Sequence, residues 1–382
     1  MNILIAPDSF KGSLTALEVA ESLERGLERA SSQLEIKKLP MADGGEGTVR
    51  SLVDATNGQV IEKKVTGPLG GEVEAFYGIL GDKKTGVIEM AAASGLPLVP
   101  EKKRNPLKTT TYGTGQLIKA ALDQGCRKLI IGIGGSATND CGIGMAQALG
   151  ARFLDSSGKE VGLGGQVMRD IEEIDLTRLD ERIKKTEIEV ACDVDNPLYG
   201  KEGAAYIYAP QKGATQEQVE ELDAGLRHFG RIIEEKLEIQ VSDTPGAGAA
   251  GGLGAGLLAF LNAELKPGID IVIQASGIRE EVKSVDLVIT GEGQLDSQTI
   301  HGKTPIGVAK VAKKYSKPVI GVAGSLGQGA EKVYNHGIDA IFSIVNSPME
   351  LEESLKRGGE LLEKLGNNIG RILLIKDFWK KL

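Results

Sequence analysis

The chain has 382 residues, 52 of them glycine, with 41% apolar and only 4% aromatic residues. The glycine share is about twice the ordinary ~7%; the apolar share supports a buried core and excludes disorder, and the glycines lack the three-residue period of collagen. A formal charge of −8, from 45 basic and 53 acidic residues of both signs spread along the chain, argues against a polyanion binder, so no nucleic acid partner is expected.

Short apolar runs alternate with amphipathic helical patterns, the signature of a parallel α/β protein. The first strand is expected at residues 2–6, followed by a helix over 15–30 with Leu17, Val19, Ala20, Leu23 and Leu27 at helical spacing, and a strand at 35–39. From about Thr66 to Met90 the pattern changes to hairpin-like runs at 73–79 and 85–90, which reads as entry into a second domain. A helix at 113–124, a strand at 128–133, a helix near 141–149, a strand at 188–192 and a long charged helix at 216–236 follow. Residues 244–263 carry no charge, but Pro245, Asn262 and several glycines argue against a membrane span, so no membrane is expected.

Beyond Gly268 the alternation returns, with helices at 269–278, 305–315, near 330–335 and from about 349, and strands at 286–290, 319–323 and 340–344. The two chain ends therefore look alike and the middle differs. The expected architecture is α/β with two domains. One is a parallel-sheet domain from residues 1–65 plus 280–382; the other is an α/β domain inserted at 66–279. The N-terminus lacks a signal-peptide pattern. Three cysteines, Cys126, Cys141 and Cys192, show no paired spacing, so a reducing cytoplasm is expected.

Ligands of open parallel sheets bind outside the carboxyl ends of the strands. Six expected strand ends deliver carboxylates, small hydroxyls and glycines. They carry Asp8, Ser9, Lys11 and Ser13; Asp43, Gly44, Gly45 and Glu46; Gly134, Gly135, Ser136, Thr138, Asn139 and Asp140; Asp193, Asp195 and Asn196; Glu292 and Asp296; and Gly324 and Ser325. Turns and helix caps use the same residue types, so any one of these segments is unremarkable. Together they suit a phosphorylated ligand with a divalent cation. Helix starts and glycine loops can hold phosphate, carboxylates can hold Mg²⁺, and Lys11 and Lys303 can neutralise a transferring phosphoryl group.

A P-loop is absent, because the glycine required five residues before Gly302-Lys303-Thr304 is Ser297. Two dinucleotide-like patterns, Gly132–Ala137 and Gly246–Gly251, keep an NAD(P)-dependent 2-hydroxyacid dehydrogenase as an alternative. A non-catalytic metabolite-binding protein is a third reading. The isolated histidines His228, His301 and His336 form no metal pattern.

The segments APDSFKGS (6–13), ADGGEGT (42–48), GGSATND (134–140), CDVDNPL (192–198), GEGQLD (291–296) and QTIHGK (298–303) resemble the bacterial type 1 glycerate kinase family in order and spacing, as does 246–254. The resemblance runs from Met1 to about Leu374. It implies ATP-dependent phosphorylation of D-glycerate, mostly to 2-phosphoglycerate, with 3-phosphoglycerate as the alternative product. It also implies a flavodoxin-like domain built from both chain ends, an inserted α/β domain with a mixed sheet, and an active cleft between them. ATP and Mg²⁺ are the expected cofactors, D-glycerate is the expected partner, and a homodimer is allowed.

Lys11, Asp193 and Asp43 are the candidate catalytic residues. Asp8, Ser9, Ser13, Glu46, Asp195 and Asn196 are candidates for the substrate. Gly134, Gly135, Ser136, Thr138, Asn139, Asp140, Gly251, Gly252, Glu292 and Lys303 are candidates for the nucleotide, and Asp193, Glu292 and Asp296 for the metal. The family usually has glycine where this chain has Cys141, a change expected to be tolerated with altered nucleotide affinity. The aromatic pair in the tail, Phe378 and Trp379, is read as packing on the body or on a partner subunit.

Overall fold

A computed structural model of the chain describes residues 1–375. The aromatic pair of the tail lies outside the described residues. The strands are, in order, β1 Asn2–Ile5, β2 Glu35–Lys38, β3 Gln59–Thr66, β4 Glu72–Ile79, β5 Thr85–Glu89, β6 Lys128–Gly132, β7 Arg152–Leu154, β8 Glu173–Asp175, β9 Glu187–Ala191, β10 Glu264–Lys266, β11 Leu287–Leu295, β12 Val319–Leu326 and β13 Ala340–Ser343. The chain divides into two compact units. One comprises Met1–Asp43, Arg50–Asn57 and Val272–Leu382; the other comprises Gly44–Val49 and Gly58–Ile271.

The first unit holds a parallel five-stranded sheet in the order β13-β12-β11-β1-β2. Counted along this unit the order is 2-1-3-4-5, the flavodoxin-like order, whose switch point lies between its first and third strands. Those strands are β1 and β11. Helix Ala16–Ala30 begins at a capping box in which Thr15 and Glu18 satisfy each other's backbone N–H groups. It packs on helix Gly358–Leu373 at backbone distance: a Cβ on Gly26 would sit 2.2 Å from the Glu363 carbonyl oxygen. Ile3, Ile5, Val19, Leu23, Leu27, Leu361 and Leu362 form the core between this helix pair and the sheet.

The second unit holds a mixed six-stranded sheet, β10-β9-β6-β5-β4-β3. It is parallel from β10 to β5 and antiparallel from β5 to β3. A two-stranded antiparallel ribbon, β7-β8, stands apart from it. Helix Gln216–Leu237 opens at a second capping box, Thr215 with Gln218. Phe153 packs edge-on against Phe229 and Phe260, with ring centroids 5.6 and 5.4 Å apart, and anchors an all-apolar core.

Three local expectations change. The first hairpin strand is preceded by β3, which pairs with β4 over its whole length. Mostly exposed, with Glu62, Lys63 and Lys64, it lacks alternation because it is a charged edge strand. Strands β11 and β12 continue through the segments expected as loops, with Gly291 paired to Val322 and Gln294 to Ser325. Their glycines serve close strand packing, since a Cβ on Gly291 would lie 2.1 Å from the Val322 carbonyl oxygen. The helix expected at 269–278 is two helices, Gly268–Ser276 and Ile278–Lys283, broken at left-handed Gly277. Among the described residues no helix is long and apolar enough to cross a membrane.

Candidate active site

In the first unit, the residues that follow β1 lie beside the later residues of β11. The Asp8 N–H donates to the Gly291 carbonyl at 2.8 Å. The Asp8 carboxylate accepts from the Ser9 N–H at 2.6 Å and from the Thr304 hydroxyl at 2.5 Å, at the start of helix Thr304–Lys314. Burial and the neighbouring Asp43 charge outweigh those two bonds, with Glu292 adding to them, and push Asp8 up to about 7.

Glu292 accepts from the Thr299 hydroxyl at 2.8 Å and pairs with Lys303 at 3.2 Å. Its burial still raises it, and Asp43 adds to the rise. Asp8, Asp43 and Glu292 thus form one electrostatic group. The other expected residues are placed differently. Lys11 is exposed beside left-handed Gly12. The Ser13 hydroxyl donates to the Leu355 carbonyl at 2.6 Å. Asp296 closes a turn by accepting from the Gln298 N–H at 2.8 Å.

In the second unit, exposed Asp193 follows β9 and accepts from the Gly268 N–H at 2.9 Å. Asp195 is exposed beside it. The Asn196 side chain accepts from Tyr208 at 2.5 Å and donates to the Glu202 carbonyl at 2.8 Å, so it braces the loop. Glu46 is exposed.

The loop after β6 is the most constrained segment. Gly134 and Gly135 are exposed and Gly135 is left-handed, whereas Ser136 to Asp140 are buried. Wholly buried Asp140 accepts from the Thr111 N–H and hydroxyl at 2.8 and 2.9 Å, and from the Gly142 and Gly144 N–H groups at 3.3 Å. Burial nonetheless raises its carboxyl. Both polar side-chain atoms of wholly buried Asn139 lack a partner, as does the Thr138 hydroxyl.

Gly251 and Gly252 are buried against this loop. A Cβ on Gly251 would lie 2.1 Å from the Thr138 carbonyl oxygen, and one on Gly252 would lie 3.0 Å from the Cys141 Cα. Ala250, Gly251 and Gly252 are all left-handed, at φ 53°, 72° and 86°. These glycines let one stretch of the chain approach another. Cys141 is itself left-handed at φ 51° and buried, and burial pushes its thiol up, as it does for Cys192. Neither thiol is a nucleophile candidate.

Neither dinucleotide-like pattern has its structural context. After β6 the next helix begins only at Ile143, well beyond Ala137, and Gly246–Gly251 follows a turn instead of a strand.

Glu89 and Lys212 are among the buried charged residues that the sequence reading did not name. Glu89, at the end of β5, accepts from the Val49 N–H at 2.8 Å. Lys212 is 2% exposed and donates to the Ser136 hydroxyl oxygen at 2.7 Å and to the Thr138 carbonyl at 2.6 Å. It ends the short turn Pro210–Lys212, and no pattern at that position distinguishes it from a surface lysine.

Among the described residues no three His, Cys, Asp or Glu side chains are grouped to hold a metal ion. Mg²⁺ commonly takes only one or two carboxylates together with phosphate oxygens, and the carboxylates at these strand ends are hard oxygen donors of that kind.

The model of the glycerate kinase family matches residues 3–374. A glycerate kinase of Halalkalibacterium halodurans is 58% identical over 379 residues, covering 99% of each chain. The glycerate 2-kinase of Escherichia coli K12 is 53% identical over 375 residues, covering 98% of each. A crystal structure from Salmonella typhimurium LT2, assigned as a glycerate kinase 2, superposes over the full length of both chains with a TM-score of 0.91 and 51% identity. On a full-length family match and relatives this similar, the chain belongs to the glycerate kinase family.

Proposed function

We propose that the chain transfers the γ-phosphoryl group of ATP to D-glycerate, giving 2-phospho-D-glycerate and ADP. The observation that carries this reading is the full-length similarity to the Escherichia coli protein named glycerate 2-kinase. The strand-end groups support it. Lys11, with Ser9, suits the glycerate carboxylate or the phosphoryl group in flight. Asp8, with its raised affinity for protons, suits a hydrogen bond from a glycerate hydroxyl. Asp193 and Asp43 are the candidates to orient and deprotonate the attacking hydroxyl. In a loose phosphoryl-transfer transition state that task is mainly orientation.

The Gly134–Asp140 loop is the proposed phosphate-binding segment, with Gly251 and Gly252 supporting it from behind. Mg²⁺ entering with ATP would be held by carboxylates from among Asp193, Glu292 and Asp296. When bound it neutralises charge on the phosphates. The reading further includes a discontinuous domain of residues 1–65 plus 280–382 with a second inserted at 66–279, a homodimer and a cytoplasmic location; the three unpaired cysteines fit the last of these.

Incubation with D-glycerate and Mg-ATP, followed by addition of enolase, tests the proposal. Enolase turns over 2-phosphoglycerate directly. ADP release without enolase turnover would point to the 3-isomer, and no ADP release would remove the kinase reading.

A further inference from the structure

We propose that Lys212 is the positioning charge for a phosphate group bound at Gly134–Ser136, acting on it through the Ser136 hydroxyl. The inference rests on the kinase reading, because ATP supplies that phosphate.

Lys212 is a buried amino group whose two hydrogen-bond acceptors are both neutral oxygens, Ser136 Oγ at 2.7 Å and the Thr138 carbonyl at 2.6 Å. An ammonium carries three donors, and no carboxylate among the described residues lies within ion-pair distance of this one. Burying an unpaired cation is unfavourable. Asp140 is the charged group that acts on Lys212, yet its carboxylate is already engaged by Thr111 and by two backbone N–H groups. The buried charge is therefore only partly compensated, and burial pushes Lys212 down to about 7 although Asp140 pulls it upward.

The direction of the bonds indicates where the missing charge belongs. Ser136 Oγ accepts from Lys212, so the Ser136 hydroxyl hydrogen is available to a second acceptor. The two residues before Ser136 are exposed glycines. Where Gly134 would carry a Cβ, the nearest atom is 3.8 Å away, the Cα of Gly45. A phosphate oxygen can reach the backbone there. Two further polar side chains of the loop are unmatched. The Asn139 amide and the Thr138 hydroxyl, in the same loop, are buried without partners. A loop with these bonds unmade is incomplete by itself. An anion at its tip would complete the charge balance of Lys212 and draw a proton onto it.

The test is calorimetric titration of the full-length protein at pH 8 in buffers of different ionisation heat, with ADP, inorganic phosphate and D-glycerate as separate ligands. Proton uptake approaching one per ADP is expected. Inorganic phosphate should give weaker binding with the same uptake, and glycerate none. Lys212→Met should abolish the uptake and weaken ADP binding by about 10- to 100-fold, the range for losing a charge-assisted bond. It should leave the KM for glycerate unchanged and the Tm equal or higher. A residue with a merely structural role would lower Tm and spare the uptake.

Uptake that survives K212M, ADP affinity within threefold of wild type, or uptake elicited by glycerate in place of ADP would each overturn the proposal. If K212M does not fold, the wild-type titration decides, and ADP binding without uptake overturns it. Failure of the kinase reading is separate: it is seen as absence of ADP formation from ATP and glycerate by the wild-type protein.

Discussion

The two units handle buried charge in opposite ways. The first gathers like charges: Asp43 raises both Asp8 and Glu292, Glu292 adds to the rise at Asp8, and Lys303 pairs with Glu292. The second buries a cation, Lys212, on neutral oxygens. Elsewhere the same chain neutralises buried charge fully. Glu189 sits between Lys128 and Lys266 at 2.7 Å from each, and those bonds hold its carboxyl below the usual range despite burial. Pairing is thus available to this fold. Where it is withheld, the first unit keeps like charges together and the second keeps a cation on neutral oxygens, and incompletely compensated charge of this kind is characteristic of functional sites.

The largest expected effects test whether both regions serve one reaction. Lys11→Ala in the first unit and Asp193→Asn in the second should each lower kcat/KM for glycerate by about 10²–10³-fold. If either variant keeps near-wild-type kcat/KM, its region plays no part in the chemistry. Gly251→Ala should destabilise the second unit by about 2–4 kcal/mol, combining a left-handed backbone with a Cβ driven into the Thr138 carbonyl. Denaturant unfolding measures this, and an unchanged midpoint would show that the loop does not depend on that approach.

The opposed charges also predict opposed pH responses. Asp8 titrates near 3.8 when unfolded and near 7 when folded. Its contribution to stability is therefore fully present below pH 3.8 and lost as pH rises through about 7. The slope is at most about 1.4 kcal/mol per pH unit for one proton, and Asp8→Asn should remove it. Lys212 runs the other way. Its folded value near 7 lies below 10.5, so stability gains as pH rises from 7 towards 10, and K212M should flatten that limb. Thermal unfolding across pH 4–10 reads both; equal slopes in wild type and variants would contradict the contrast. The smallest effect is Cys141→Gly. Relief of the left-handed backbone and loss of a small buried side chain oppose each other, so the Tm change should correspond to about 1 kcal/mol or less.

The α/β class and most parallel strands were legible because buried strands read as short apolar runs between helical periods, whereas the flavodoxin-like unit was implied by the family resemblance. The topology of parallel sheets directed attention to Asp8, Asp43, Asp140, Asp193 and Glu292, although Glu292 lies within β11 and not beyond its end. Lys212 was not legible. Its burial is decided by Ser136 and Thr138, more than seventy positions away, and a lysine followed by glycine ordinarily marks a surface turn. The lengths of β11 and β12 were hidden for a related reason. Gly291 and Gly324 read as turn residues, whereas they lie in paired strands where a Cβ would meet the neighbouring strand's backbone. Charged β3 gave no alternating apolar signal, with Val60 and Ile61 adjacent and Val65 beyond Glu62–Lys64.

The meeting of left-handed Ala250–Gly252 with the backbone of Thr138–Cys141 also bears on how the second unit folds. The left-handed run at Ala250–Gly252 is seated against the Thr138–Cys141 backbone, and the two segments are distant in sequence. Such pairings form late, after the closure entropy of the intervening chain has been overcome. The loop that carries Ser136 and Asn139 is therefore expected among the last parts to order during refolding. Catalytic competence should lag behind the recovery of helical signal, and the interval between the two would time the seating of that segment.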